Sequence, residues 1–158
     1  MKIGIVGDTH GSKEAMAIIC RVFHDVQLFF HTGDHWQDGL SLEEETGIPV
    51  FTVKGNCDHG TMSSELLLTI ENKKFFLTHG HLYGVKYGLD TLLARGREEN
   101  ADYCLFGHTH SPMLTEYKGI WFLNPGSLVW PRGKDTYAGI ILEQRENTFI
   151  SCFMSIDR

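Results

Sequence analysis

Hydrophobic and polar positions along this chain follow two different periods, and the switches between them outline its elements. Residues 2–7 (KIGIVG) form a short apolar run closing on Gly-Asp, and Ser12 then stands where a helix N-cap is expected, with Glu14 in the first turn. In the helix that follows, Met16, Ile19, Cys20 and Phe23 recur at i, i+3, i+4 and i+7, which predicts one buried stripe. Residues 27–32 (QLFFHT) and 49–54 (PVFTVK) predict two more buried strands, ending at Gly33-Asp34 and Gly55-Asn56. Such β-α-β steps favour parallel pairing with right-handed crossovers.

Past Asn56 the texture becomes that of an antiparallel hairpin, with LLLTIE (66–71) and KKFFLTH (73–79) separated by little more than Asn72. Leu89, Leu92 and Leu93 share a face of a helix over 88–99, for which Asn100 is the stop. Five strand-like runs complete the chain: YCLFG (103–107), MLTEYK (113–118), IWFLN (120–124), YAGIILE (137–143) and TFISCFM (148–154). The pattern predicts an α/β fold, a two-sheet β-sandwich flanked by helices rather than a single doubly wound sheet. Segments 35–47, 59–65, 81–88 and 128–136 are expected as loops.

Composition narrows the function classes. With 158 residues and 42% hydrophobic content the chain is long enough for one substantial core. No repeat, low-complexity tract or linker divides it, so residues 1–158 are expected to form a single domain. Asp and Glu outnumber Lys and Arg by 20 to 14, and the basic residues are scattered, which argues against dedicated nucleic-acid binding. The opening MKIGIVGDTHG lacks the apolar core and cleavage site of an export signal, and no window reaches membrane-spanning length. Cys20, Cys57, Cys104 and Cys152 lie far apart without CxxC spacing, against a zinc knuckle or a disulfide framework. A reduced, cytoplasmic setting with no membrane partner is the expectation.

Five segments carry the candidate chemistry: Gly7-Asp8-Thr9-His10-Gly11, Gly33-Asp34, Gly55-Asn56-Cys57-Asp58, His79-Gly80-His81 and Gly107-His108-Thr109-His110. Each follows a predicted strand, and strand C-termini on one sheet edge converge, so side chains distant in sequence can meet in one crevice. Carboxylate, carboxamide and imidazole together suit a borderline divalent cation such as Mn, Fe, Co, Ni or Zn, whereas an all-oxygen set would suggest Mg or Ca.

The order of these blocks resembles the calcineurin-like metallophosphoesterase superfamily, and within it the small bacterial and archaeal phosphodiesterases that lack a cap domain. The superfamily signature runs D-x-H, G-D, G-N-H-D/E, a His-Gly turn and G-H-x-H. The chain departs from it at Cys57, where the small phosphodiesterases also carry G-N-C-D. The resemblance extends from Asp8 to the Asn124-Pro125-Gly126-Ser127 turn. It implies the family's α-β-β-α layers and two divalent metal ions, with manganese the first choice and Ni, Fe, Co or Zn the others. Asp8, His10 and His110 would hold one ion, Asn56, His79 and His108 the other, and Asp34 would bridge them. The implied activity is hydrolysis of a small phosphate-ester substrate, a diester foremost, by a metal-bridging hydroxide. Two dications bring four positive charges and Asp8 with Asp34 only two negative ones, which leaves room for a hydroxide and an anionic phosphate.

Cys57 stands where the wider family has its proton donor, so Cys57, Asp58 and His81 share the candidacy for catalytic acid. A thiol of pKa about 8.5 can donate a proton, but Cys57 also fits the role of a small buried hydrophobe. Asp58 suits equally a support for the Asn56 loop, and His81 a neighbour of the site. His24 falls at the end of the first helix, where the dipole favours a cation, and His31 reads as structural. His35 and His59 follow motif residues and either line the pocket or face solvent. Trp36 and Trp130 lie in predicted loops near the metal edge, where they could stack on a leaving group or make dimer contacts. Arg132 and Lys134 suit a phosphate or a solvated turn, and the Asn124–Ser127 turn is expected to pack beneath the site. Exposed Trp and Phe in loops point to a homo-oligomer. The competing functions are a phosphomonoesterase and a metal-poor protein-interaction scaffold, the latter because the retromer subunit that resembles this family uses the fold mainly for protein contact. A scaffold should show eroded ligand positions, and none of those named here is replaced by a non-ligand.

Overall fold

A computed structural model describes residues 1–156. In chain order the elements are β1 (Lys2–Val6), α1 (Lys13–Val22), β2 (Leu28–His31), α2 (Trp36–Thr46), β3 (Val50–Thr52), β4 (Glu65–Ile70), β5 (Lys73–Thr78), a 3-10 turn (His81–Tyr83), α3 (Asp90–Glu98), β6 (Tyr103–Leu105), β7 (Met113–Tyr117), β8 (Ile120–Asn124), β9 (Gly139–Arg145) and β10 (Thr148–Met154). The strands form two five-stranded sheets, ordered β10-β9-β1-β2-β3 and β4-β5-β6-β8-β7. The expected two-sheet sandwich with flanking helices is therefore the fold.

Local signals act where the sequence places them. Ser12 caps α1 by accepting from the Ala15 N–H at 3.2 Å. Glu71 and Asn72 both take left-handed φ (49° and 62°), the backbone that a tight hairpin between β4 and β5 requires. Asn100, also left-handed at φ 54°, lies just past α3.

Three cores hold the layers. Between the sheets, Ile3, Ile5, Phe30, Phe75, Leu77, Leu105, Leu123, Ile140 and Leu142 are wholly excluded from water. Phe75 stacks on Tyr103 at a centroid distance of 4.8 Å and on Phe30 at 5.6 Å. Each such side chain contributes about 2–3 kcal/mol of burial. On the outer faces, Met16, Ile19, Val22, Phe23 and Leu42 pack against the first sheet, and Leu92 and Leu93 with Cys104 and Phe122 against the second.

Four expectations change. Residues 36–46 are a helix, not a loop. The sequence hides it because Leu42 is its only fully buried large apolar residue and Gly39 sits mid-helix. Gly39 is there for packing, since an added Cβ would lie 2.9 Å from Thr52 Cβ on β3. The segment 81–88 opens with a 3-10 turn. Cys20 is only half-buried at the margin of its stripe. Among the described residues every Phe is buried or half-buried, so the apolar surface consists instead of residues such as Leu82, Tyr87 and Trp130. Among the described residues no helix is long and apolar enough to cross a membrane.

The register matters most for function. β1, β2 and β3 run parallel (Val6↔His31, His31↔Thr52), and so do β5, β6 and β8 (Leu77↔Leu105, Leu105↔Leu123). A hydrogen bond then joins loops leaving the two sheets, the His108 N–H reaching Asp8 Oδ2 at 3.0 Å, while within the second sheet Gly107 N donates to His79 O at 3.0 Å.

Candidate metal centre

The backbone marks the site before any side chain is considered. Asp8, His10, Asp34, His35, His108 and His110 all adopt left-handed φ, between 47° and 73°. For residues with a Cβ this costs on the order of 1 kcal/mol or more each. The other left-handed non-glycine residues (Glu71, Asn72, Asn100, Lys118 and Glu146) lie in short connections between elements, so the strain is concentrated at one edge. It falls on the Asp-x-His and His-x-His triplets. A left-handed residue at both ends of each triplet turns its two side chains into one crevice. Gly107 permits the close approach, because a Cβ there would lie 2.6 Å from Asp8 Oδ2.

The side chains meet as follows. Ligand atoms of Asp8, His10, Asp34 and His110 all lie within 4.8 Å of one another. Asp8 Oδ1 is 3.4 Å from His110 Nε2, 3.9 Å from His79 Nε2 and 4.0 Å from His10 Nε2. Asp34 Oδ2 is 3.9 Å from His10 Nε2 and its Oδ1 3.4 Å from His79 Nε2, so this carboxylate stands between the two groups of imidazoles. His79 Nε2 also meets Asn56 Oδ1 at 3.0 Å. The His108 ring lies edge-on to His79, 5.1 Å between centroids. All seven residues are thus brought together at one crevice.

Proton positions test whether a cation fits. His79 Nδ1 lies 2.8 Å from Thr32 O and His110 Nδ1 3.0 Å from Trp130 O. A carbonyl only accepts, so both Nδ1 atoms carry the hydrogen and both neutral rings aim an Nε2 lone pair at the carboxylates. Asp8 Oδ1 is buried without a hydrogen-bond partner among the described residues, and Asp8 and Asp34 are 0% and 2% exposed. Lone pairs facing buried carboxylate oxygens repel unless a positive charge sits between them. The same field acts on protons. Protonation at Nε2 would turn the His110 contact into a hydrogen bond to Asp8, and that bond is the chief reason His110 is raised above its ordinary value. At His79 burial works downward, yet the bond to Asp34 and the charges of Asp8 and Asp34 raise it. At Asp34 burial works upward, but the bond to His79, its charge and the Cys57 N–H hold the carboxyl well below the usual range. Burial lowers His10, and it lowers His108 to about 4. This donor set and its orphaned oxygen suit divalent cations.

Around this centre, Asp58 accepts from Gly55 N (2.7 Å), His35 N (2.6 Å) and Trp36 N (3.3 Å), tying the Asn56 loop to the start of α2. Cys57 is exposed, not the small buried hydrophobe that was one expectation, because the sharp Gly55–Asp58 turn points it outward. Partial desolvation and then the neighbouring Asp34 carboxylate push its thiol up to about 11. His81 stands 5.4 Å from His79 between ring centroids, with a buried Nδ1 that has no partner among the described residues. Trp130 flanks the crevice, 4.2 Å from the His10 ring and 6.2 Å from the His110 ring. Trp36 begins α2 and donates to His59 O at 3.1 Å, while His59 itself is exposed. His24 bonds the Arg21 carbonyl beyond α1.

Beneath the site, Asn124 donates to Gly107 O and Thr109 Oγ1, each at 3.0 Å, and Ser127 Oγ donates to Asp8 O at 2.8 Å, so the turn packs there as expected. His31 is structural. Its Nδ1 accepts from Gly33 N, its Nε2–H donates to Thr9 Oγ1 at 2.9 Å, and burial lowers it to about 4. Asp38, which nothing in the sequence singled out, accepts from Gly11 N at 2.9 Å and meets His35 Nδ1 at 2.9 Å.

Comparison with known proteins agrees with this geometry. A family model described as the calcineurin-like phosphoesterase superfamily domain matches residues 1–147. The chain is 37% identical to the probable metallophosphoesterase YsnB of Bacillus subtilis over 90% of its length and 85% of that protein's. It is 28% identical to the phosphodiesterase YfcE of Escherichia coli, covering 84% and 82%. Among solved structures it superposes on a predicted phosphoesterase from Streptococcus pneumoniae with a TM-score of 0.83 at 29% identity, covering 99% and 90% of the two chains. It also superposes on zinc-complexed Vps29 of Entamoeba histolytica (TM-score 0.76, 21% identity, 99% of each chain), a likeness of fold.

Proposed function

The chain belongs to the calcineurin-like phosphoesterase superfamily, and from that premise we propose that it hydrolyses phosphate diesters with two divalent cations, manganese in the native enzyme. We assign one cation to Asp8, His10 and His110, the other to Asn56, His79 and His108, and the bridge to Asp34, within a single cap-less domain. The observation carrying this reading is the convergence of Nε2 lone pairs, fixed by the Thr32 and Trp130 carbonyls, on buried carboxylates that include the orphaned Asp8 Oδ1. The diester preference draws support from the likeness to a protein named a phosphodiesterase.

When bound, the cations would acidify a water for attack and offset charge on the phosphoryl oxygens. The chain's own residues do the remaining work. Thr32 and Trp130 hold the His79 and His110 rings in the ligating tautomer, and Asp58 fixes the loop that presents Asn56. Asp58 spends both oxygens on backbone N–H groups, so we assign it a positioning role and leave proton donation to the leaving group with Cys57 and His81. The exposed Cys57 thiol, pushed up to about 11, is protonated at neutral pH but a weak acid.

The test is hydrolysis of bis(p-nitrophenyl) phosphate by protein stripped with chelator and then reloaded with Mn. Activity should vanish and return, and Asn56→Ala and His79→Ala should each lose at least a hundredfold. Activity indifferent to chelator would refute the proposal.

A further inference from the structure

Beside the metal centre a second cleft of about 340 Å³ is lined by Val85, Lys86, Thr109, Ser111 and Arg132. Its walls belong to the same loops. Thr109 lies between His108 and His110, the Arg132 N–H donates to His110 O at 3.0 Å, and Val85 packs against Gly80 in the His79–His81 segment. Two cations therefore face one opening directly beside the imidazoles.

Among the described residues neither is held in an ion pair, unlike four other basic residues. Lys2, Lys73, Arg95 and Arg145 each sit against a carboxylate. Among the described residues Lys86 and Arg132 have no such partner, although the chain carries a net charge of −6. Arg132 offers a planar fork that matches a phosphate in two hydrogen bonds, and Lys86 a mobile point charge. Ser111 lines the same cleft. Thr109 Oγ1 is already taken up by Asn124 and the Ser111 N–H, so it shapes the wall.

We propose that this cleft binds a second phosphate of the substrate, so that diesters bearing an additional phosphomonoester are preferred over those without one. The proposal rests on the phosphodiesterase reading above for its catalytic consequence, but the binding step does not need metal or turnover. Lys86 and Arg132 would act as specificity residues, touching a part of the substrate remote from the reacting phosphorus.

A matched pair of substrates tests it: the p-nitrophenyl ester of thymidine 5′-phosphate, with and without a 3′-phosphate. Both release the same leaving group. With Mn-loaded protein, kcat/KM should be at least tenfold higher for the 3′-phosphorylated ester. Arg132→Gln and Lys86→Gln should each reduce that advantage by about tenfold, the factor for one charge-assisted hydrogen bond. Arg132→Lys should restore part of it. Equal loss on both esters, or none on either, would overturn the proposal.

A second arm separates its failure from that of the phosphodiesterase reading. Thymidine 3′,5′-bisphosphate is titrated calorimetrically into chelator-treated protein at low salt. Binding that is lost in the Lys86→Gln/Arg132→Gln double variant sustains the cleft even if neither ester is cleaved. Absence of binding, or binding unchanged in the double variant, overturns it even in an active enzyme.

Discussion

Replacing Asp8 by Asn should stabilise the metal-free protein while crippling its response to metal. In the wild type, Asp8 Oδ2 accepts the His108 N–H at 3.0 Å, but Oδ1 is buried without a partner and faces the Nε2 atom of His110 at 3.4 Å. An asparagine keeps the first bond through its carbonyl and puts an N–H₂ donor where the orphaned oxygen was, facing a lone pair. Relieving an unsatisfied buried charged acceptor is worth about 1–3 kcal/mol. At about 2–4 °C per kcal/mol for a domain of this size, the expected rise in Tm under chelator is about 2–12 °C. Mn at a thousand times its Kd should stabilise the wild type by about 4 kcal/mol, enough to reverse the order of the two proteins. Calorimetric scans with EDTA and with Mn measure both effects. The pH dependence has a definite sign. His110, raised above 6.5 chiefly by its bond to Asp8, contributes stability that is present below its unfolded value and lost as pH rises through the folded one. Under chelator the variant's advantage should therefore grow as pH rises above 6.5. A variant that melts below the wild type in EDTA, or that gains as much from Mn, would refute the reasoning.

Asp58→Ala deprives three backbone N–H groups of their acceptor. It should cost about 1–3 kcal/mol in urea unfolding and weaken Mn binding by about 10–100-fold, as read by calorimetry. In Gly55→Ala the new Cβ meets the Asp34 carboxylate, so Mn affinity should fall at least tenfold while overpacking lowers stability by about 1–3 kcal/mol. Phe75→Ala empties the centre of the intersheet core and should cost about 3–5 kcal/mol in urea, with Mn affinity of the folded fraction unchanged. A large affinity loss there would show that the core and the crevice are coupled.

Much of this protein is determined by local sequence. The apolar runs place all ten strands within a few residues, and the Ser12 cap and the turn at Asn72 act through neighbours a few positions away. The five motif blocks name the residues of the crevice because each follows a strand, and a strand's end is a local property. Helix α2 escaped detection because it is held by Leu42 and by Gly39 against Thr52, contacts that no periodicity records. Tertiary structure alone decided the rest. His10 meets His110, and Asp8 meets the His108 N–H, across a hundred residues of chain. The ligating tautomers depend on carbonyls of Thr32 and Trp130, and backbone acceptors carry no side-chain signature. Asp38 at Gly11, and Lys86 and Arg132 on one cleft, became meaningful only once separate loops shared one edge. Residue type and local spacing specify which chemistry a chain can perform. The orientation of each lone pair, and which charges are left without partners, depend on packing between segments that the linear order keeps apart.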